Sequence, residues 1–232
     1  MVIKNTAFSL MLAHVFWVHC SGQSDYSKIP PKEQKYMEHV ENLLQGRAKL
    51  SLERAVNGII ENNKHICWTS TFIKYSWPEY THTVQFIDRT KKGADRKQKR
   101  YANWSVGLKN GIPSVLVNAQ DRLLRCLGLK NGIPSVLVNA QDPQVYGDYT
   151  LYFARPTCFV MGNETAQAPS NGNVSSEVYA DRATCQLWFR RRVDWDDKEE
   201  CMAAFFRECN SINGVYYKYR RGVCNSVNSN DK

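Results

Sequence analysis

Four short stretches in the C-terminal half decide the fold: DYTLYF at 148–153, TC at 157–158, CQLW at 185–188 and CMAAF at 201–205, followed by Cys209 and Cys224. Residues 148–154 and 185–190 are rich in aromatic and other strand-forming side chains, so both stretches predict strands. Residues 198–210 are rich in helix formers, and two aspartates directly before them suit a helix start. The C-terminal half therefore predicts cysteine-bearing strands followed by a cysteine-bearing helix.

The rest of the chain predicts further short strands and one early helix. The helix is expected from Lys32 to Lys49, with a break at Gly46. Strands are expected at 66–75, 81–87, 101–106, 112–118 and 215–219. Many short strands with one early and one late helix predict a single, mainly β domain. An antiparallel sandwich and a closed barrel with added helices both fit this pattern.

Composition and charge exclude several classes of protein. The 232 residues are 43% hydrophobic and 23% charged, which is an ordinary globular balance. No apolar run reaches the roughly 18 residues of a membrane span, so we expect no membrane protein. Residues 89–100 hold seven basic residues and one acid, and they carry most of the net charge of +9. A nucleic-acid binder is therefore a poor interpretation. The segment is a solvated hairpin loop, or a patch for heparin-like glycans or an acidic host protein.

The N-terminal segment predicts export. Lys4 precedes an apolar run at 7–18, and Cys20-Ser21-Gly22 supplies small residues for cleavage. This is the pattern of a secretory signal peptide, so we expect residues 1–22 to be removed and 23–232 to form an extracellular domain.

A tandem repeat explains an odd cysteine count. Seven cysteines remain after Cys20 is lost, and an odd number is unusual for an exported domain. The sequence GLKNGIPSVLVNAQD occurs at 107–121 and again, without a difference, at 128–142. One 21-residue unit, 107–127 or 128–148, is therefore duplicated, and its removal would leave six cysteines. Cys126 is the expected odd thiol, and the second copy is expected to form a loop or an added hairpin.

Three sequons agree with an exported protein. They place candidate glycans on Asn103, Asn163 and Asn173. Asn163 and Asn173 lie in a segment rich in Gly, Ser, Asn and Pro, whereas Asn103 lies in a predicted strand.

The C-terminal pattern, with Cys67 in the second strand and the signal peptide, resembles the tick salivary lipocalins of the histamine-binding-protein family over Lys32 to Cys224. The resemblance implies an eight-stranded antiparallel lipocalin barrel with the N-terminal and C-terminal helices packed outside, wide enough for one small ligand. It also implies disulfides Cys67–Cys224 and Cys158–Cys201, and it suggests Cys185–Cys209.

Strand alternation predicts which side chains face the interior of such a barrel. If Cys185 and Cys67 point outward, the residues next to them and every second residue beyond point inward. On the strand at 148–154, the resemblance implies that the odd-numbered residues point inward. The candidates are Gln186, Trp188, Arg190, Trp68, Ser70, Phe72, Lys74, Tyr149, Leu151 and Phe153. The aromatic members either form a packed core or line a ligand pocket.

The resemblance implies sequestration of a small mediator of host inflammation or haemostasis, by default a biogenic amine such as histamine or serotonin. The family's histamine binders hold the amine with inward carboxylates and aromatic rings. This chain keeps Trp188 but has Gln186 and Phe159 at two of the acid positions. At a third it has Tyr149, with Asp148 adjacent. A buried ammonium without a carboxylate is costly, so tight histamine binding is put in doubt.

Two other functions stay open. The basic candidates Lys74 and Arg190 favour a fatty-acid or leukotriene carboxylate, with its chain against Trp68, Phe72 and Trp188. Alternatively, the chain is a protein-binding lipocalin that acts on complement or a clotting factor through loops such as 89–100.

Enzymatic chemistry is not expected. Only His39, His65 and His82 survive signal removal, and no Ser/His/Asp or Cys/His set has a recognisable spacing. No C-x₂-C pair occurs, so the cysteines are better explained as bridges than as zinc ligands. We expect a monomer with a small-molecule ligand and without metal or cofactor.

Overall fold

A computed structural model describes residues 29–109, 112–119, 129–130, 133–134, 147–163, 183–191 and 195–228. The predicted signal peptide, Cys126 and Asn173 lie outside these ranges.

The described residues form nine strands of one sheet and three α-helices. In chain order these are α1 Pro31–Gln45, β1 Leu50–Val56, β2 His65–Ser76, β3 Glu79–Asp88, β4 Lys97–Lys109, β5 Ile112–Ala119, β6 Gly147–Arg155, β7 Cys158–Asn163, β8 Thr184–Arg190, α2 Trp195–Cys209, β9 Tyr216–Lys218 and α3 Arg221–Asn228.

The first eight strands form a closed barrel. Each pairs antiparallel with the next along the chain, and β8 returns to pair with β1 from Arg190 opposite Leu50 to Cys185 opposite Val56. The short strand β9 pairs with the second half of β1. This confirms the predicted fold class: one mainly β, eight-stranded antiparallel barrel with the helices outside its wall.

Consecutive connections alternate between the two ends of the barrel. The tight hairpins β2–β3, β4–β5 and β6–β7 share one end, which we call the hairpin end. The connections at 57–64 and 89–96 share the other end with the last residues of β5 and β7 and the first residues of β6 and β8, and we call it the loop end. The basic segment therefore lies at the loop end.

Helix α1 covers the hairpin end. Its apolar residues recur at helical spacing, and Met37, Val40, Leu43 and Leu44 are buried in the same cluster as the inward side chains of the barrel. The helix contacts β2, β4, β5, β6 and β7. It ends at Gln45, directly before Gly46, as the sequence predicts.

Two disulfides attach α2 to the outer face of the barrel. Cys158 of β7 bonds to Cys201, and Cys185 of β8 bonds to Cys209, with Cα–Cα distances of 6.4 and 5.9 Å. These four cysteines lie in a second buried cluster, between the sheet and α2, with Phe205 among its members. Both pairings suggested by the resemblance are confirmed.

The third disulfide joins β2 to α3. Cys67 bonds to Cys224 over a Cα–Cα distance of 5.3 Å, which is the remaining predicted pair. Cys67 has a φ of 60° and lies where the β2–β3 register shifts, so its side chain leaves the regular alternation. Its amide donates to the Tyr217 hydroxyl at 2.9 Å, which satisfies the N–H that the shift takes out of the ladder.

The second copy of the repeat forms a small ladder separate from the main sheet. Leu129 pairs with Pro134 and Lys130 with Ile133. The equivalent residues of the first copy pair in the same register at the β4–β5 hairpin, Leu108 with Pro113 and Lys109 with Ile112. The same residues thus make the same local hairpin, and only the first copy contributes it to the barrel.

We predict that the barrel folds without the second copy. Deleting residues 122–142 joins Asp121 to Pro143, keeps one complete repeat and removes Cys126. The thermal unfolding midpoint of the mature protein should change by at most about 4 °C, which corresponds to about 1 kcal/mol for a domain of this size.

Free-thiol titration provides the control for this deletion, because it should fall from one thiol per chain to none. A large loss of stability would contradict the prediction and show that the duplicated unit contributes to the core.

Candidate functional site

Three aromatic side chains fill the centre of the barrel, and we call them the aromatic cluster: Trp104 of β4, Phe159 of β7 and Trp188 of β8. Each is at most 1% exposed. The Trp104 and Trp188 rings meet edge to face with centroids 5.4 Å apart, and Trp104 meets Phe159 at 6.2 Å. Such edge-to-face contacts add specific attraction to the apolar burial.

A second aromatic contact lies nearer the loop end. Trp68 is fully buried and stacks on Phe86 of β3, with centroids 4.1 Å apart. Tyr149 and Leu151 of β6 are also buried in the inner cluster. These positions agree with the predicted inward parity, while the ligand contacts themselves stay a prediction.

Gln186 is the polar residue next to the aromatic cluster. It is 1% exposed, and its Oε1 accepts a hydrogen bond from Trp188 Nε1 at 3.0 Å. Its Nε2 has no hydrogen-bond partner among the described residues, and the same is true of Trp104 Nε1. Buried donors are nearly always paired in folded proteins, so these two N–H groups, which have no acceptor among the described residues, require an explanation.

The predicted inward orientation of Phe153 is wrong. The β6–β7 register shifts between Leu151 and Phe153, so Phe153 turns to the outer cluster while Ala154 takes the inward position. Phe153 contacts Tyr36 of α1 with centroids 5.4 Å apart. It lines a cavity of about 580 Å³ that lies between α1, β6 and α2, outside the barrel.

The other predicted residues of the site lie on β2 and at the end of β8, and two of them are exposed. Ser70 is buried and Phe72 is half-buried against the inner cluster. Lys74 is exposed, because the β2–β3 register shifts again between Phe72 and Lys74, and its predicted inward orientation is wrong. Arg190 ends β8 at the hairpin end with an exposed side chain, so it does not lie at the loop end.

Arg100 and Trp104 are inward-facing residues that the sequence analysis did not select. Ala102 and Trp104 are buried and Tyr101 is 49% exposed, so the even-numbered residues of β4 face the interior. Arg100 lies on that face opposite the buried Val84, is half-buried, and donates through Nη2 to Gln98 Oε1 at 3.3 Å. The alternation in 101–106 was the signal that could have found both residues.

A buried histidine joins the barrel to α1. His82 Nε2 lies 2.8 Å from the Leu44 carbonyl, which can only accept, so this nitrogen carries the proton. Nδ1 then accepts from the Ser70 hydroxyl, also at 2.8 Å. Burial lowers the pKa of His82 to about 4, although the Leu44 carbonyl opposes the shift. The ring is therefore neutral at physiological pH.

Within the described residues, the inner face offers little negative charge for an amine. Asp88 lies at the loop-end terminus of β3, where Oδ1 accepts from the amide and hydroxyl of Thr90. The Thr90 hydroxyl is the main cause that lowers the Asp88 pKa. The positions at which the resemblance implies acids hold Gln186, Phe159 and Tyr149, and the side chain of Asp148 lies outside the described residues.

Two of the three predicted glycosylation sites are described. Asn163 ends β7, and its Oδ1 accepts from the Thr184 amide and hydroxyl at 3.0 and 2.6 Å. Asn103 is half-buried within β4, opposite Thr81 and Asn118. Modification at either position stays a prediction.

Within the described ranges, no group of three or more His, Cys, Asp and Glu side chains could hold a metal ion. No helix in the same part of the chain is long and apolar enough to cross a membrane.

A closed up-and-down barrel of eight strands with helices outside it is the lipocalin architecture. No protein-family model and no curated protein matches the chain. Similar solved structures include Japanin from Rhipicephalus appendiculatus bound to cholesterol, at 13% identity and a TM-score of 0.42, covering 75% of this chain and 93% of that one. Lobster apocrustacyanin A1 has 10% identity and a TM-score of 0.46, covering 83% and 92%. The siderocalin Ex-FABP has 10% identity and a TM-score of 0.41, covering 75% and 92%.

We predict that His82 makes stability depend on pH. Its folded pKa of about 4 lies below the unfolded value of 6.5, so the unfolded chain binds more protons between these values. The contribution is complete above pH 6.5 and is lost as pH falls towards 4, by about 3 kcal/mol in total.

Urea unfolding of wild type and His82→Gln at several pH values tests this. The glutamine can keep both hydrogen bonds without titrating, so its unfolding free energy should fall less over this range. His39→Gln, on the partly exposed face of α1, is the comparison variant: burial also lowers the pKa of His39, but less than that of His82, so this substitution should reduce the pH dependence less than His82→Gln does. Equal pH dependence in all three proteins would refute the assignment.

Proposed function

We propose that this chain is a secreted lipocalin of the tick salivary kind that binds and sequesters a small lipid mediator of host inflammation or haemostasis, such as a leukotriene. The observation that carries the proposal is the inner face around the aromatic cluster. It combines fully buried rings with two N–H donors that have no partner among the described residues, and the carboxylate described on the inward face of β3, Asp88, is already hydrogen-bonded by Thr90. In the described part of the chain, an ammonium would enter this site without a free carboxylate partner, which is costly.

Arg100 supports an anionic ligand. The residue lies on the inward face of β4 near the loop end, where a ligand would enter, and it is half-buried, with its guanidinium donating to the Lys99 carbonyl at 3.0 Å and to Gln98 Oε1 at 3.3 Å. Guanidinium groups pair with carboxylates through two parallel hydrogen bonds, and partial burial strengthens such pairs. We therefore assign the carboxylate contact to Arg100 rather than to the exposed Arg190.

Calorimetric titration of the mature protein with leukotriene B4, histamine and serotonin tests the proposal. We expect saturable leukotriene binding and weak or no amine binding. Arg100→Ala should weaken leukotriene binding about tenfold, since hydrogen bonds to charged groups contribute about 1.5–3 kcal/mol. Arg96→Ala, in the exposed β3–β4 connection, should leave it unchanged.

Saturable amine binding would overturn the lipid assignment and restore the amine function that the resemblance implies. Absence of binding for all three compounds would favour the protein-binding alternative.

That alternative rests on the basic segment. Six of its seven basic side chains are exposed at the loop end: Arg89, Lys91, Lys92, Arg96, Lys97 and Lys99. We expect Lys92→Glu/Arg96→Glu to elute from immobilised heparin at clearly lower salt than wild type, because several clustered cations act together on a polyanion. Lys32→Glu/Lys35→Glu, on α1 at the opposite end, carries the same charge change and should have a smaller effect. Equal elution of the two variants would show that net charge, not this patch, determines binding.

A further inference from the structure

Two buried N–H donors inside the barrel lack an acceptor in the described part of the chain. They are Trp104 Nε1 and Gln186 Nε2, each on a side chain that is 1% exposed. Unpaired buried donors are rare enough that each requires a specific explanation.

The orientation of the Gln186 amide follows from its contact with Trp188. An indole N–H can only donate, so the atom 3.0 Å from Trp188 Nε1 must be the amide oxygen. The NH₂ group is then the part of Gln186 that faces the rest of the interior. The residue consequently offers a donor there, not an acceptor.

Both donors belong to side chains that contact the same Trp188 ring. Trp104 meets this ring edge to face, and Gln186 is hydrogen-bonded to it. His82, which contacts Trp104 with centroids 5.9 Å apart, cannot serve as acceptor because Ser70 and Leu44 engage both of its nitrogens.

We propose that Trp104 and Gln186 together recognise a neutral oxygen, a hydroxyl or a keto group, carried on the apolar chain of the ligand. The inference rests on the proposed function and makes it more specific, because Arg100 holds the carboxylate and this donor pair reads a second oxygen. A neutral oxygen accepts from both N–H groups without bringing a charge into the centre of the barrel.

The positions of the residues also set the distance between the two oxygen functions. Trp104 lies four residues beyond Arg100 on the same face of β4. Four residues of strand span about 13 Å. An extended alkyl chain covers this distance in roughly ten carbons. The preferred hydroxyl therefore lies near the middle of a long fatty acid and not next to its carboxylate.

Three matched ligands isolate the effect of this hydroxyl on binding affinity. Oleic acid, ricinoleic acid and 2-hydroxyoleic acid share one chain and one carboxylate. They differ by having no hydroxyl, one on the twelfth carbon, or one beside the carboxylate. With the mature, disulfide-bonded protein we expect ricinoleic acid to bind roughly threefold to tenfold more tightly than either of the others, as one neutral hydrogen bond would give.

Two variants test the donors themselves. Trp104→Phe removes Nε1 and keeps an aromatic ring, and Gln186→Glu removes the N–H donors while keeping an oxygen that accepts from Trp188 Nε1. Each should bring the ricinoleic-to-oleic affinity ratio close to one, a ratio that a general loss of packing or an added charge acting on both acids would not change. Trp77→Phe and Gln85→Glu alter the same residue types at exposed positions and should keep the wild-type ratio.

The outcomes distinguish the two levels of the proposal. If none of the three acids binds, the proposed lipid function fails, and this inference fails with it. If all three bind equally, or the preference survives in both variants, the lipid function stands and the donor pair is not the recognition point. If one variant does not fold, the other decides by the same ratio.

Discussion

The rest of the structure depends on β8. Its pairing with β1 closes the barrel, and its alternation sends Cys185 outward to α2 while Gln186 and Trp188 point inward. A slip of one residue would exchange the two faces, leaving the cysteine in the interior and the glutamine against the helix. Barrel closure, the attachment of α2 and the inward position of Gln186 therefore all follow from the register of β8.

The disulfides explain how the interior can tolerate unpaired donors, and two of them, Cys158–Cys201 and Cys185–Cys209, lie in the outer cluster between the sheet and α2. An unsatisfied buried donor costs about 1–3 kcal/mol, so the pair formed by Trp104 and Gln186 costs several kcal/mol in the free protein. Each disulfide contributes about 2–4 kcal/mol, and the three bridges together exceed that cost. Because Cys158–Cys201 and Cys185–Cys209 cross-link the outer face, they stabilise the barrel without occupying its interior. The stabilisation by these two bridges and the ligand recognition that we propose thus rest on opposite faces of the same strands.

The sequence predicted the elements that follow a regular period, and the cysteine resemblance predicted their covalent connections. The sequence-based strand assignment missed β1 and β7, and the helix assignment missed α3. In β1 the register shifts between Leu52 and Arg54, so its polar residues do not alternate cleanly. The errors at Phe153 and Lys74 have the same cause, because one extra residue in a strand reverses the parity beyond it. Arg100 and Trp104 were missed for a different reason: the alternation in 101–106 indicates which face of β4 they occupy, but their role also depends on what faces them across the barrel, which no single stretch of sequence contains.

In the function that we propose, the residue at position 186 determines which kind of ligand group the interior can recognise. Trp188 requires an acceptor there, and either a carboxylate or an amide oxygen meets that requirement. The two differ in the atom left over. A carboxylate presents a second, charged oxygen and suits an ammonium, as in the histamine binders that the sequence resembles, whereas an amide presents an N–H and suits an oxygen. Since Trp188 and the barrel are compatible with both, the ligand class cannot be inferred from the fold or from the retained tryptophan. It follows from the one atom that Gln186 turns towards the centre of the barrel.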